Sequence, residues 1–163
     1  MASMQLPRLQ SGTWSFPIPI HYGPGCIDRL PGIARDLGMS RPLLVSDSGT
    51  AGLPFVGEIA RQLTAAGLTP RLFAEFSANP TDIECIRGGE AYRESGCDGV
   101  IAVGGGSSLD AGKAIAISAP GAHADFWAFD GFAEPLIFDG ERPFAPLLCV
   151  PTTSCLLYTS DAA

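Results

Sequence analysis

Short apolar runs alternate with amphipathic stretches along most of the chain, the pattern of an α/β domain built on a parallel sheet. The first run, "FPIPIHYG" (residues 16–23), predicts an edge segment, because its prolines cannot donate to a ladder. In "GPGCIDRLPGIARDLGM" (23–39), Ile27, Leu30, Ile33, Ala34 and Leu37 share one helical face, although Pro31 and Gly32 weaken the first turn. "RPLLVSDSG" (41–49) predicts a strand through Leu43, Leu44 and Val45, ending in a polar turn. "VGEIARQLTAAG" (56–67) predicts a helix with Gly67 as its C-terminal cap.

"TPRLFAEF" (69–76) predicts the next strand. The loop "SANPT" then leads into a helix through "DIECIRGGEAYRESG" (82–96), with Thr81 as N-cap and Glu84 three residues on, a capping box. "DGVIAVGGGS" (98–107) is the strongest strand: Val100 to Val103 are all apolar, which predicts burial on both faces. It runs directly into "GGGSSLDAGKAIAISA" (104–119), a glycine turn opening a helix. From Pro120 to Pro146 the chain is rich in Pro, Gly and aromatics without a clear period. This predicts a long connection with one short helix around Ala124–Phe129. "APLLCVPTT" (145–153) resumes as a strand.

Composition narrows the function. The chain has 163 residues, enough for one domain with a real core, and is 46% hydrophobic and 17% charged. A net charge of −7 argues against a nucleic-acid partner, since phosphate neutralisation needs a basic surface. No apolar run reaches the ~20 residues of a membrane span, and "MASMQLPRLQSGTWSF" lacks a signal-peptide core. A cytoplasmic protein without membrane partners is expected. Cys26, Cys85, Cys97, Cys149 and Cys155 are scattered and odd in number, which suits reduced thiols.

The richest chemistry lies in "AVGGGSSLDAGKA" (102–114). A buried strand ending in glycines before a helix lets the backbone approach an anion, and the free N–H groups of that helix favour phosphate. The dinucleotide fingerprint G-x-G-x-x-G fails, because Leu109 stands where the third glycine belongs. The Walker A loop fails at Ser107 and Ala114. A tight turn that merely packs helix on strand is the plainer alternative.

"VIAVGGGSSLDAGKAIA" (100–116) resembles the G-G-G-S-x-x-D-x-A-K signature of the iron-containing (group III) alcohol dehydrogenases. Gly112 replaces the alanine before Lys113, a small-for-small change expected to matter little. "IHYGPG", "LLVSDSG", "SANPT" and "VPTT" resemble further family segments in the expected order, so the resemblance covers about residues 15–154. It implies a parallel-sheet, Rossmann-like nucleotide-binding domain of the dehydroquinate synthase-like/iron-dependent alcohol dehydrogenase fold. The family's helical metal-binding domain is expected to be missing from this chain.

The resemblance also assigns residues. Gly104, Gly105, Gly106 and Ser107 would hold the cofactor pyrophosphate, with Asp110 and Lys113 supporting that turn. Lys113 could equally be a solvated helix-face charge. Asp47 would accept hydrogen bonds from the adenine ribose, which favours NAD over NADP because a 2′-phosphate would meet like charge. An Asx-turn role for Asp47 is compatible with this. Asn79 would approach the cofactor from its loop, or simply start the turn before Pro80. Thr152 and Thr153 would line the cleft, or serve as strand-end hydroxyls.

The activity implied is hydride transfer between NAD and a small alcohol or aldehyde, assisted by Fe²⁺ or another divalent metal acting as Lewis acid. The full-length enzyme would be a homodimer. The family's metal ligands are an aspartate and three histidines; only His21 and His123 occur here, so no metal or catalytic residue is assigned and the chain alone is expected to be inactive. Phe126, Trp127, Phe129 and Phe132 could shape a substrate pocket or anchor their own loop. Glycerol dehydrogenase, dehydroquinate synthase-like and non-catalytic nucleotide-binding readings remain alternatives. In place of the family's glycine-rich continuation, "CLLYTSDAA" (155–163) resembles a translated sequencing adapter and is expected to be a non-native tail. The chain is thus expected to divide into an N-terminal extension (1–14), an incomplete NAD(P)-binding domain (15–154) and that tail.

Overall fold

The computed structural model describes residues 12–15, 18–119 and 144–153. Strands β1 (Gly12–Ser15) and β2 (Pro19–Tyr22) pair antiparallel, with Thr13 opposite His21. The proline-containing run is therefore half of a separate hairpin, which also takes in Gly12–Trp14 of the N-terminal extension. The first helical stretch is divided. A 3₁₀ turn (Cys26–Arg29) precedes helix α1 (Leu30–Asp36), and Pro31 falls in the first turn of α1, where its missing N–H costs nothing. Leu30 and Ala34 are buried as the periodicity predicts, but Leu37 is 44% exposed because α1 stops before it; Met39 is buried instead.

The rest alternates strictly. Strand β3 (Pro42–Val45) leads to helix α2 (Pro54–Ala65), β4 (Arg71–Phe73) to α3 (Asp82–Glu94), and β5 (Gly99–Gly104) to α4 (Gly106–Ser118); β6 (Leu147–Pro151) follows. The four strands from β3 to β6 form one parallel sheet in the order β4-β3-β5-β6. The expected long connection with its short helix at 124–129 lies outside the described residues, as do the four aromatics of that segment, His123 and the tail.

Alternation along the strands sorts the core into two layers. Leu43, Val45, Phe73 and Val100 pack with Cys85 and Tyr92 of α3 and with Ala111 and Ile115 of α4. On the other face, Leu44, Ile101 and Val103 pack with Leu30 and Ala34 of α1 and with Val56, Ile59 and Leu63 of α2. Residues 99–104 are buried throughout, as expected for a central parallel strand.

Helices α1, α2 and α3 end alike. After α2, Gly67 donates to Thr64 and Leu68 donates to Leu63 (2.9 and 3.0 Å), a Schellman motif that needs the left-handed backbone of Gly67 at φ +86°. Gly38 with Met39, and Gly96 with Cys97, repeat the same pair of bonds after α1 and α3. In each case the residue after the glycine is buried, which turns the chain back towards the next strand. The capping box of α3 is present: the Glu84 amide donates to Thr81 Oγ1 while the Glu84 carboxylate accepts from the Thr81 amide.

Helix α4 lies unusually close to β5. A Cβ at Gly112 would sit 2.5 Å from the Cβ of Ala102, an atom with no rotamer into which to escape. This corrects the expectation that Gly112 is interchangeable with alanine: here it is matched to Ala102. Gly→Ala in a helix ordinarily stabilises by about 1 kcal/mol, whereas overpacking a tight contact costs about 1–3 kcal/mol. The second effect should win. In urea denaturation, Gly112→Ala is expected to lower the midpoint, and an Ala102→Gly background should reduce that loss. An unchanged or raised midpoint in Gly112→Ala would mean that helix and strand are not in tight contact.

Candidate functional site

The strand order places a topological switch between β3 and β5. From β3 the chain crosses by α2 to one side, and from β4 it returns by α3 to the other. In open α/β sheets, ligands bind in the crevice at the carboxyl ends of such a pair. Asp47 follows the end of β3, and the glycine turn of residues 104–106 joins the end of β5 to α4.

The turn is built to leave helix amides free. Gly105 is the N-cap of α4 and supplies no side-chain cap, so the first N–H groups of a 13-residue helix have no capping partner among the described residues. Gly104 adopts φ +146°; a Cβ there would overlap the Ser108 hydroxyl and lie 3.3 Å from Asp47 Oδ2. Gly105, Gly106 and Ser107 are half-buried, open enough to be approached. Backbone amides at an uncapped helix N-terminus favour an anion.

Asp47 faces this turn and is tightly held. Its Oδ1 accepts the Gly49 and Thr50 amides, both at 3.0 Å, so the Asx turn is present. Its Oδ2 accepts the Ser108 hydroxyl at 2.9 Å, while its own amide donates to Ser108 Oγ at 3.0 Å. Burial pushes the Asp47 carboxyl upward, but the bonds from Thr50, Ser108 and Gly49 outweigh it and hold the group below the usual range. The site therefore presents a fixed negative charge beside a glycine turn.

Two further segments join the cleft. Ser107 donates its hydroxyl to the carbonyl of Ala78, which fastens the 77–79 loop, Asn79 included, to the glycine turn. The Glu84 carboxylate supports that loop from below, accepting from the amide and hydroxyl of both Ser77 and Thr81. On the other side, the Thr152 amide donates to the Gly104 carbonyl at 2.9 Å, and Thr153 Oγ1 lies 3.6 Å from where a Gly105 Cβ would be. Asp110 and Lys113 are differently disposed. They form an exposed ion pair with each other (3.2 Å) on α4, and no hydrogen bond ties either to the turn among the described residues.

Ser108 was not anticipated as a site residue, although it completes the constellation. A second serine after three glycines looks solvent-facing in sequence; only packing reveals its full burial. Ser46 is likewise buried, and its hydroxyl has no partner among the described residues. Among the described residues no three His, Cys, Asp or Glu side chains are grouped to hold a metal ion, no disulfide forms, and no helix is long and apolar enough to cross a membrane.

An open parallel sheet with a glycine turn and an acidic residue at its switch point defines a Rossmann-like α/β domain. The family is specific: residues 17–156 match the profile of the iron-containing alcohol dehydrogenases, and the chain belongs to that family. It is 38% identical over 138 residues to 4-hydroxybutyrate dehydrogenase of Cupriavidus necator, covering 83% of this chain and 34% of that protein. Among solved structures, 1,3-propanediol oxidoreductase superposes with a TM-score of 0.71 at 32% identity, covering 80% of this chain and 33% of the other. The sulfoacetaldehyde reductase of Bifidobacterium kashiwanohense, solved in complex with NAD⁺, superposes at 0.64 with 26% identity, covering 80% and 33%. The chain thus spans about a third of the length of these relatives.

The hydrogen-bonded Asp47 makes a pH-dependent contribution to stability. Because its folded-state pKa is depressed, that contribution is complete above the ordinary aspartate value of about 3.9 and is lost as pH falls through the lower folded value. Thermal unfolding followed from pH 7 to pH 3 should show a smaller acid loss in Asp47→Asn than in the wild type. Parallel curves would mean that the carboxylate is not held by these donors.

Proposed function

We propose that this chain binds NAD and forms the nucleotide half of an enzyme transferring a hydride between that cofactor and a small alcohol or aldehyde. One observation carries the reading: the ionised Asp47 carboxylate lies against the first turn of an uncapped helix, joined to it through Ser108. The amides of Gly105, Gly106 and Ser107 would hold the pyrophosphate, because they are free and the glycines leave room for close approach. Asp47 would accept from the ribose hydroxyls, and its fixed charge would repel a 2′-phosphate. Asn79, Thr152 and Thr153 would close the flanks of the cleft. Asp110 and Lys113 would support the turn only from the exposed face of α4, since their hydrogen bond is to each other.

Bound NAD supplies a nicotinamide ring that accepts or returns the hydride. The residues of this chain bind and orient the nucleotide and exclude its phosphorylated analogue. The described residues offer the family's metal no donor set, and the whole chain holds two histidines. No described residue is assigned to a divalent metal. Membership of the family and an NAD-bound structural neighbour support the oxidoreductase reading.

Isothermal calorimetry of the purified chain should detect NAD binding, with NADP weaker. Binding of neither to a folded sample would overturn the proposal. Asp47→Gly should weaken NAD by roughly ten- to a hundredfold, since hydrogen bonds to charged groups contribute about 1.5–3 kcal/mol, and should weaken NADP less. Equal losses would remove Asp47 from the ribose site. Alcohol oxidation should be absent from this chain even with added Fe²⁺, and turnover that copurifies with it would contradict the division of labour.

A further inference from the structure

We infer that Ser108 is a positioning residue that sets the nucleotide preference of the site, by holding the Asp47 carboxylate in an orientation that accepts a ribose 2′-hydroxyl and turns away a 2′-phosphate. This rests on the NAD reading above and adds to it a residue that touches no part of the nucleotide.

Ser108 is fully buried, and a buried hydroxyl is costly unless its hydrogen bonds are made. Both of its bonds go to one residue 61 positions away: its proton to Asp47 Oδ2 at 2.9 Å, its oxygen to the Asp47 amide at 3.0 Å. The two bonds form a ring that fixes the end of β3 against the first turn of α4. Gly104 makes the ring possible, because any side chain at that position would overlap Ser108 Oγ.

The consequence is specific to the carboxylate. Oδ1 is fixed by two backbone amides that any side chain at 108 would leave in place. Ser108 donates to Oδ2 from α4, whereas the other donors to the carboxylate, the Gly49 and Thr50 amides and the Thr50 side chain, belong to the turn of Asp47 itself. A carboxylate oxygen has two lone-pair sites, so Oδ2 keeps one to offer to a ligand hydroxyl. Without Ser108 the carboxylate keeps only the donors of its own turn, and Oδ2 loses the partner that ties it to the first turn of α4. The charge is then directed less sharply, both for a hydroxyl to find and for a phosphate to avoid.

The test is a double-mutant cycle read as NAD and NADP affinities by calorimetry, with thermal unfolding to verify the fold of each protein. Ser108→Ala should lose roughly fivefold in NAD affinity, the scale of one hydrogen bond to a charged acceptor that is partly replaced by water. NADP should be affected less, so that the NAD:NADP preference shrinks. In an Asp47→Asn background, the same serine change should alter NAD affinity by less than about twofold, because Ser108 acts through the carboxylate. Should Ser108→Ala not fold, Ser108→Cys, with its weak S–H donor, should show the same shrinking preference.

A serine that only packs the turn would weaken both nucleotides equally, and an unchanged preference in the folded variant overturns the inference. So does an undiminished effect in the Asp47→Asn background. If the wild type binds NAD while either result is obtained, the inference alone fails. If the wild type binds neither nucleotide, the NAD reading fails first and the inference falls with it.

Discussion

The closeness of α4 to β5 is the constraint on which the rest of the structure depends. Two small residues, Ala102 on the strand and Gly112 on the helix, set that distance, and neither can grow without moving the other. Because the helix lies so near, its first turn meets the residue that follows the end of β3. Ser108 can then reach Asp47, while the Thr152 amide reaches the Gly104 carbonyl by extending the pairing of β5 with β6. A wider spacing would leave the glycine turn intact as a local motif but separate it from the residues that make it a site.

The surrounding architecture serves the same end. Three helices finish in the same glycine-dependent reversal, each followed by a buried residue that returns the chain to the sheet. Parallel strands laid down this way have all their carboxyl ends on one edge, and the order β4-β3-β5-β6 opens a crevice between the central pair. The site therefore draws its loops from that edge of the sheet, while the two hydrophobic layers behind it supply rigidity. Asp47 is held by donors from its own turn and from α4, so its charge is a fixed feature of the crevice.

Much of this could be read from the sequence, for identifiable reasons. Strand β5 and helix α4 were legible because an unbroken apolar run meets three glycines and then a helical period. Gly67 and the Thr81–Glu84 pair were legible because capping is local chemistry, decided within a few residues. The division at Cys26–Arg29 was foreshadowed only by Pro31 and Gly32, and the burial of Met39 in place of Leu37 depends on the reversal at Gly38. Ser108 was hidden because serine carries no hydrophobic signal, and its partner lies 61 residues away. The match of Gly112 to Ala102 was hidden for a related reason: two small residues ten positions apart form no periodic pattern, and their contact exists only once the helix lies on the strand. Local rules thus revealed the elements and the turn, while long-range packing decided which side chains complete the site.

The central claim is that the glycine turn and Asp47 together form one nucleotide site at the switch point. The most direct measurement is two-dimensional NMR of the ¹⁵N-labelled chain titrated with NAD. The account requires the largest amide shifts at Gly105, Gly106 and Ser107, with accompanying shifts at Asp47 and in the 77–79 loop, all saturating at one nucleotide concentration. Shifts confined to other parts of the fold, or a glycine turn that responds while Asp47 does not, would contradict it.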